Sequence, residues 1–441
     1  MALFYWHIRH LRALQLVHIE LTLVSIYRSF TLLSFTVGKW RIENVCGSID
    51  DLEASAMQLS DLRVAIVHYW FVNRSGGERV VETLAELFPQ ADLYSLVADR
   101  SVLAPALRSR KLNTSFLDKI PGARKFYRHL LFLQPMALEQ FDLSQYDLVL
   151  SSESGPAKGV LTSSKTCHIC YCHSPMRYIW DMYHEYRKGM NPIVRSVFSL
   201  TSHPVRMWDY ASAGRVDYFV ANSQFIASRI RKLYRRTSTV IYPPVNTAAC
   251  RSDAAREDYY LAAGRLVDYK RIDLAIAACN KLGRKLRVIG DGPEARALRK
   301  MAGPLVEFLG RVSDSELHRQ LASCRALLFP GEEDFGIIPV EAQSFGRPVI
   351  AFGSGGALET VRGDLPNRTE TRNRTGVFFL QQNVSSLTDA ILNFEQQENQ
   401  FDPHSIREHA QQFDTAIFKE RMQTYIVNAY QEFRSYLQPL T

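Results

Sequence analysis

The sequence has few cysteines and no uninterrupted apolar segment long enough to cross a membrane. Its 441 residues include seven cysteines, an odd number without the spacing of a disulfide framework, so we expect free thiols in a reducing compartment. The most apolar stretch, residues 14–37, is interrupted by Glu20 and Arg28, whereas a membrane-spanning helix requires about 20 predominantly apolar residues. Residues 14–37 are therefore marginal as a membrane-spanning helix. The N-terminus also lacks the layout of a cleavable signal peptide.

The sequence also lacks a strong charge bias. It has 53 basic and 45 acidic residues, a net charge of +8, which is mild for this length and favours anionic partners such as phosphates or an acidic membrane surface. No basic block is interleaved with aromatics as in nucleic-acid-binding modules, so we expect no nucleic-acid partner. A hydrophobic content of 46% and a charged content of 22% are ordinary for a globular protein. The length allows two or three domains.

Residues 1–60 differ from the rest of the chain. We interpret them as an N-terminal extension that adds no fold, either disordered or interfacial, with Met57 as a plausible start of the folded chain. A spanning helix is the remaining alternative, for which the apolar stretch is marginal.

The folded part begins with an arrangement that can bind phosphate. Residues 64–67 form a continuous apolar run typical of a central parallel strand, and a loop ending in Gly76 and Gly77 leads into a helix. Backbone amides of such a loop, together with the helix N-terminus, attract an anion. The loop lacks the three spaced glycines of a dinucleotide-binding fingerprint, and a tight turn without ligand is the alternative. The pattern therefore favours an anion site over a dinucleotide site.

A cluster of cysteines and histidines occupies residues 166–175, TCHICYCHSP. A strand directs successive side chains to opposite faces, so the set cannot converge on one metal ion, and we find no second ligand pair elsewhere. We therefore predict buried strand cysteines and no metal site. His173 differs from the others because it lies at the end of the strand, where a side chain can face a cleft.

The segment from Arg108 to Arg128 is rich in arginine and lysine, with aromatic residues nearby. One interpretation is a solvated basic helix face. The other, more specific interpretation is a patch that makes peripheral contact with an anionic membrane.

The second half of the chain repeats the alternation of strands and helices. A double proline, Pro243-Pro244, and a polar stretch to about residue 258 read as a stiff crossover and linker between domains. Apolar strands are then predicted at 259–263, 286–289, 306–309, 326–329 and 349–352, and the last helix extends to Leu437. Repeated strand–loop–helix units predict an α/β protein with two Rossmann-like, doubly wound domains that face each other across a cleft.

Charged residues follow the strands of this second domain. Arg265 and Lys270 lie five residues apart on a strand-to-helix loop, where two positive charges and a helix N-terminus suit a diphosphate. Glu333 falls in a loop after a strand, and Glu341 falls in the first turn of the next helix, just after Pro339. Either carboxylate can accept hydrogen bonds from a sugar diol. No Asp-x-Asp motif is found to hold a divalent ion, so we expect no metal.

These motifs resemble those of retaining family-4 glycosyltransferases with the GT-B fold. The likeness covers residues 63–437, and residues 64–82 and 171–181 are more loosely similar to bacterial O-antigen mannosyltransferases. The motifs that carry it are Glu333-x7-Glu341, Gly264-Arg265 with Lys270, and the loops Gly290-Asp291-Gly292-Pro293 and Gly310-Arg311-Val312. The resemblance implies an acceptor-side domain at 61–245, a nucleotide-sugar donor domain at 256–420, and a C-terminal helix at 421–441 that crosses back to the first domain.

The resemblance also implies roles for the site residues. Arg265 and Lys270 would bind the donor diphosphate and stabilise it as the leaving group, Glu341 would bind the ribose, and Glu333 would face the transferred sugar. The amides of Phe335, Gly336, Ile337 and Ile338 would surround the sugar and phosphate, Gly310, Arg311 and Val312 would contact the base, Gly76 and Gly77 would approach the diphosphate, and His173 would lie beside the reacting sugar. Asp334 stands where the family often has glycine, and we expect it to make the site more acidic.

The implied reaction transfers a hexose from a nucleotide diphosphate sugar to an acceptor hydroxyl with retention, and it needs no cofactor beyond this co-substrate. Mannose from GDP-mannose is favoured, with a lipid-linked saccharide of polysaccharide biosynthesis as acceptor. We expect the protein in the cytoplasm, with a peripheral position at the inner face of the plasma membrane as a further option. The alternatives are a UDP-hexose-dependent transferase, a sugar-phosphate synthase or an epimerase on the same fold, and a non-catalytic sugar-nucleotide-binding subunit.

Overall fold

The structure, a computed structural model, describes residues 59–73, 76–248, 255–366 and 373–437. The predicted extension at 1–60 lies outside the described residues except for its last two, and so does Met57. The residues from Leu59 onward form one compact unit.

The first domain is built on a parallel sheet whose seven strands are arranged in the order β3-β2-β1-β4-β5-β6-β7. The strands are β1 (Val64–His68), β2 (Asp92–Ser95), β3 (Leu112–Thr114), β4 (Leu148–Glu153), β5 (Cys167–Cys172), β6 (Tyr218–Ala221) and β7 (Thr239–Val240). The order reverses between β1 and β4, and in open parallel sheets ligands bind beyond the carboxyl ends of strands at such a point.

The second domain repeats this design with a six-stranded parallel sheet in the order β10-β9-β8-β11-β12-β13. Its strands are β8 (Tyr260–Ala263), β9 (Leu286–Ile289), β10 (Val306–Gly310), β11 (Leu327–Phe329), β12 (Val349–Phe352) and β13 (Gly376–Phe379). The predicted class, two Rossmann-like doubly wound domains, is therefore confirmed.

Helices connect the strands in both domains. The helices of the first domain are α1 (Gly76–Leu87), α2 (Pro105–Arg108), α3 (Ala123–Phe126), α4 (Gln134–Glu139), α5 (Tyr183–Lys188), α6 (Pro192–Ser212) and α7 (Gln224–Tyr234). Those of the second half are α8 (Ile272–Leu282), α9 (Ala295–Met301), α10 (Asp314–Ser323), α11 (Ile337–Ser344), α12 (Ala357–Thr360), α13 (Val384–Gln396), α14 (Pro403–Gln411) and α15 (Thr415–Leu437).

The pattern of burial along β8 shows why these strands form. Tyr260 and Ala262 pack into one apolar cluster, whereas Leu261 and Ala263 pack into a second cluster. Alternate side chains of a strand point to opposite faces, so both faces of the sheet are covered by helices, and a continuous apolar run is the sequence that suits such a strand.

The two segments that cross between the domains lie side by side. The amide of Val245 donates to the carbonyl of Phe413 at 3.0 Å, and the amide of Thr415 donates to the carbonyl of Val245 at 3.1 Å. Helix α15 then packs against α1 and β5 of the first domain, with Lys419 paired to Glu86 at 2.7 Å. The last helix therefore belongs structurally to the first domain.

The interpretation of Arg108–Arg128 as one basic helix face is wrong. Helix α2 ends at Arg108, β3 follows, and α3 is a separate four-residue helix bordered by 3-10 turns. Gly122, which follows Pro121, has a φ of +78°, and this left-handed conformation interrupts any continuous helix.

Candidate functional site

The site is a cavity of about 650 Å³ between the two domains. It is lined from the first domain by Tyr69, Asn73, Gly76, Gly77, Arg79, Ser154, His173 and Asn222, by Pro243 of the crossover, and from the second domain by Arg265, Tyr269, Lys270, Asp314, Leu317, Phe329, Glu333, Asp334, Phe335, Gly336, Ile337, Ile338 and Glu341. The carboxyl ends of strands from both sheets therefore contribute to one cavity, which is where ligands bind in this class of fold.

Most of the residues predicted from the sequence meet in this cavity. The predicted residues that line it are His173, Arg265, Lys270, Glu333, Glu341, Gly76, Gly77, Phe335, Gly336, Ile337 and Ile338. Gly310 is the last residue of β10, and Arg311 and Val312 follow it. None of the three is among the lining residues, and Val312 packs against an apolar cluster of the second domain. Nearby, Asp314 and Leu317 of α10 line the cavity instead. The role of Gly310–Val312 in contacting a base stays a prediction.

Lys270 and Glu333 form an ion pair in the cavity wall. Burial lowers the pKa of Lys270, but Glu333 and Tyr269 together outweigh burial and the net shift is upward, so the ammonium group stays charged at neutral pH. A Cβ atom at Gly331 would lie 2.8 Å from the Cα of Lys270, so only glycine allows this close approach. The site thus holds a fixed cation next to a carboxylate.

Helix α11 directs its N-terminus toward the cavity. Gly336 precedes it with a φ of +91°, and the first two helical residues, Ile337 and Ile338, line the cavity. The unpaired amides at this end carry partial positive charge that attracts an anion.

The start of α11 corrects one prediction, since Pro339 is the third residue of the helix and not its first. Proline is tolerated there because the first-turn amides have no partner within the helix. Glu341 therefore lies in the second turn, where it is buried, and its carboxylate accepts from Arg79 Nη1 at 2.6 Å.

Arg79 is a cavity residue that the sequence reasoning missed. It lies on α1 of the first domain, two positions after Gly77, and its pair with Glu341 spans the cavity. The only sequence signal was an arginine in the first turn of a helix whose N-terminus was already expected to bind an anion.

Asp334 does not add an uncompensated negative charge, contrary to our expectation. Its carboxylate is paired with Arg177 and with Arg229, both of the first domain, and its backbone carbonyl accepts from Ser223 Oγ at 2.6 Å. Burial raises the pKa of Asp334 and outweighs the opposing effect of Arg177 and Arg229. Asp334 is therefore a contact between the domains next to Glu333.

His173 is held by a buried polar chain that starts on the neighbouring strands. Its Nε2 lies 2.8 Å from Ser152 Oγ, and the same hydroxyl lies 3.1 Å from His68 Nδ1. His68 Nε2 is in turn 3.7 Å from Glu78 Oε1. Burial, with a smaller effect of His68, lowers the pKa of His173 to about 3, so the imidazole is neutral at physiological pH. His68 is the last residue of β1 and Ser152 lies in β4, and the sequence analysis identified neither as a site residue.

The cysteine-rich stretch forms β5, where Cys167, Cys170 and Cys172 are buried free thiols. Within the described ranges no group of three or more histidine, cysteine, aspartate or glutamate side chains is placed to hold a metal ion. Among the same residues, none of the helices is long and apolar enough to cross a membrane.

Two family models match the chain, one to each domain. The model described as Glycosyltransferase Family 4 matches residues 74–249, and the model described as Glycosyl transferases group 1 matches residues 252–413. The chain belongs to the family-4 glycosyltransferases with the GT-B fold.

Curated relatives match over part of their length. The alpha-1,3/1,6-mannosyltransferase ALG2 of Homo sapiens is 28% identical over 36% of this chain and 47% of its own. The GDP-mannose-dependent alpha-(1-6)-phosphatidylinositol monomannoside mannosyltransferase of Mycobacterium tuberculosis is 30% identical over 47% of this chain and 57% of its own. The chain thus spans about half the length of these relatives.

Solved structures share the fold. The Anabaena protein HepE, crystallised with UDP, superimposes with a TM-score of 0.61 and 16% identity over 83% of this chain and all of its own. Sucrose-phosphate synthase from Thermosynechococcus elongatus has the same TM-score and identity over 84% of this chain and 100% of its own.

Proposed function

We propose that the protein is a retaining hexosyltransferase that uses a nucleotide diphosphate sugar. The observation that carries this proposal is the convergence of Arg265, Lys270, Glu333 and Glu341 with the N-terminus of α11 on one cavity between the domains. Cations and a helix N-terminus bind a diphosphate, and carboxylates bind sugar and ribose hydroxyls. The same cations stabilise the charge that develops on the departing diphosphate.

In the proposed reaction the bond between the sugar C1 and the diphosphate oxygen breaks, and the acceptor oxygen bonds to C1 on the same face. The acceptor proton goes to the departing diphosphate, so no protein base is required. Neutral His173 lies beside this position as a hydrogen-bonding group and not as a second cation. Because Arg265 and Lys270 supply the positive charge, we propose that turnover is independent of metal and unaffected by a chelator.

The preferred donor in this proposal is GDP-mannose, and the acceptor is a lipid-linked saccharide of polysaccharide biosynthesis. Support comes from relatives named as mannosyltransferases, one of them GDP-mannose-dependent and acting on a phosphatidylinositol mannoside. The structural relative crystallised with UDP supports a UDP-hexose as the second candidate donor. We further propose a cytoplasmic protein with a peripheral position at the inner face of the plasma membrane.

A donor panel tests the proposal. Thermal shift with GDP and UDP is measured first, followed by release of nucleoside diphosphate from GDP-mannose and UDP-hexoses in the presence of a lipid-diphosphate acceptor. We expect GDP to stabilise the protein more than UDP, and GDP-mannose to be turned over with formation of an α-linkage. Absence of nucleotide binding would refute the donor site, whereas binding without turnover of any donor would favour a non-catalytic subunit.

A further inference from the structure

Helix α6 carries an apolar stripe on the side that faces away from the protein. Its residues Ile193, Val197, Leu200, Pro204 and Met207 follow the spacing i, i+4, i+7, i+11 and i+14. At 3.6 residues per turn they lie within about 80° of one another, along about 21 Å of helix. Ile193 and Leu200 are each 78% exposed, and Val197 and Met207 are each 57% exposed.

The opposite side of α6 packs on the domain in the C-terminal half of the helix, whereas residues 192–197 are exposed on every side. The buried residues Ser202, Val205, Asp209 and Ser212 are mostly polar, so this half of the helix buries a polar face and exposes an apolar one. A surface helix of a globular protein normally shows the reverse pattern. An exposed apolar surface of this kind marks an interaction site.

Basic segments pack against α6 on two sides. Tyr183 of α5 stacks on Phe198 with ring centroids 5.7 Å apart, and Leu131 of the 127–133 segment shares a small apolar cluster with Val205. Residues 127–133 and 183–210 together contain five lysines and arginines against two aspartates and glutamates. One of these two acidic residues, Asp209, is buried and paired with Lys158. The charged surroundings of the stripe are therefore cationic.

We propose that the stripe of α6 inserts into the interface of an anionic membrane, with the neighbouring lysines and arginines on the lipid headgroups. Anionic lipids complement the positive charge around the stripe, whereas docking of a second copy of the chain would bring two positively charged surfaces together. The apolar face would lie in the headgroup region rather than span the bilayer, since Arg195 and Arg206 lie within the helix. The sequence analysis placed the membrane contact at Arg108–Arg128 alone, whereas this proposal places it on a surface centred on α6.

The buried side of α6 contacts the segment that follows His173. Met176 and Ile179 of this segment pack in the same small cluster as Leu131 and Val205, and His173 itself lines the donor cavity. In our proposal, a membrane bound at α6 therefore presents a lipid-linked sugar to the first-domain side of the cavity. In this respect the inference rests on the proposed function, which supplies the lipid-linked acceptor.

Vesicle sedimentation of the full chain tests the proposal without any acceptor. Vesicles of phosphatidylcholine are compared with vesicles in which about one third is phosphatidylglycerol. We expect binding to the anionic vesicles only, and we expect Leu200→Glu to weaken it at least about tenfold. Leu380→Glu is the matched control, because Leu380 is 50% exposed on the second domain. Residues 14–37 are unchanged in both variants, so a difference between them reports on the stripe.

Two results would overturn the assignment. One is Leu200→Glu protein that binds anionic vesicles as well as wild type, and the other is a wild-type dimer that Leu200→Glu converts to monomer in light scattering. A cooperative thermal unfolding transition measured by circular dichroism without ligand shows that the variant is folded. Since no sugar is present during sedimentation, failure of the transferase proposal would leave the vesicle result unchanged, and loss of vesicle binding would leave the donor cavity intact.

Discussion

Asp334 joins the two domains beside Glu333. It belongs to the second domain, and its carboxylate pairs with Arg177 and Arg229 of the first domain. Pairing of this kind depends on how two domains meet, and neither periodicity nor spacing within one domain encodes that meeting. The motif could therefore locate Asp334 at the cavity but could not give its role.

Asp334→Asn should loosen the contact between the domains. It removes the charge that pairs with two guanidinium groups, and hydrogen bonds to charged groups contribute roughly 1.5–3 kcal/mol each. Calorimetry should show one unfolding transition for wild type and two for the variant. Asp364→Asn is the control, since Asp364 pairs with Arg374 at 2.8 Å within the second domain. Two transitions in that control as well, or one in both variants, would contradict the assigned role.

Lys270→Ala should lower kcat by roughly 100-fold, because it removes a cation from the position where diphosphate charge develops. Glu333→Gln should also lower turnover strongly, since it removes the charge of the carboxylate that is assigned to the transferred sugar. The measurement is steady-state release of nucleoside diphosphate from the preferred donor. Lys281→Ala, an exposed lysine at the far end of α8, should behave as wild type. Normal turnover in both site variants would disprove the donor-site roles.

At the scale of elements, the sequence predicted strands better than helix boundaries. The apolar runs of the second domain, such as Leu286–Ile289, lie where β9 was expected, because a strand buried on both faces requires such a run. Helix α11 began two residues before Pro339, since proline fits any of the first helical positions. The prediction of a basic helix at 108–128 was wrong because it rested on the charge of the segment and did not take account of Gly122, where the left-handed backbone ends any helix.

A buried charge cluster fixes α6 on the first sheet. Lys158 Nζ lies 3.2 Å from Glu153 and also pairs with Asp209 of α6, and all three side chains are fully buried. Asp209 further accepts hydrogen bonds from Trp180 and Tyr234 at 2.7 and 2.9 Å. This cluster could not be predicted from a sequence pattern, because its three charged residues are as far as 56 positions apart.

Lys158→Met should destabilise the protein by about 3–5 kcal/mol, because it leaves two carboxylates buried without their cation. Urea unfolding measures the change. Lys165→Met is the control: Lys165 is exposed, and its replacement should change stability by less than about 0.5 kcal/mol. Equal stability of the two variants would show that the cluster contributes little to folding.

At the scale of the whole molecule, buried histidines should make stability depend on pH. Burial lowers the pKa of His168 to about 4, of His173 to about 3 and of His409 to about 4, whereas an unfolded histidine has a pKa of about 6.5. Below pH 6.5 the unfolded chain therefore binds more protons than the folded one, and stability falls as pH falls. Burial raises the pKa of Glu153 to about 7. Between the ordinary pKa of a glutamate and pH 7, the folded chain therefore binds one more proton at Glu153 than the unfolded chain, and this partly offsets the loss of stability on acidification.

The net expectation is a loss of stability between pH 6.5 and 4.5, at about 1.4 kcal/mol per pH unit for each uncompensated group. The measurement is the midpoint of urea unfolding at about pH 7.5, 6.5, 5.5 and 4.5, which covers this pH range. A midpoint that stays constant or rises on acidification would contradict the assignment of neutral buried histidines.

Helix α15 has a consequence for how the protein is made. It covers β5 and α1 of the first domain, yet it begins 243 positions after β5 ends. During synthesis the first domain therefore leaves the ribosome with an apolar surface that includes Tyr171. This surface stays uncovered until α15, which contributes Phe418, has been synthesised. Helix α15 is synthesised only after the second domain, so the first domain becomes complete later than the synthesis of its own sheet.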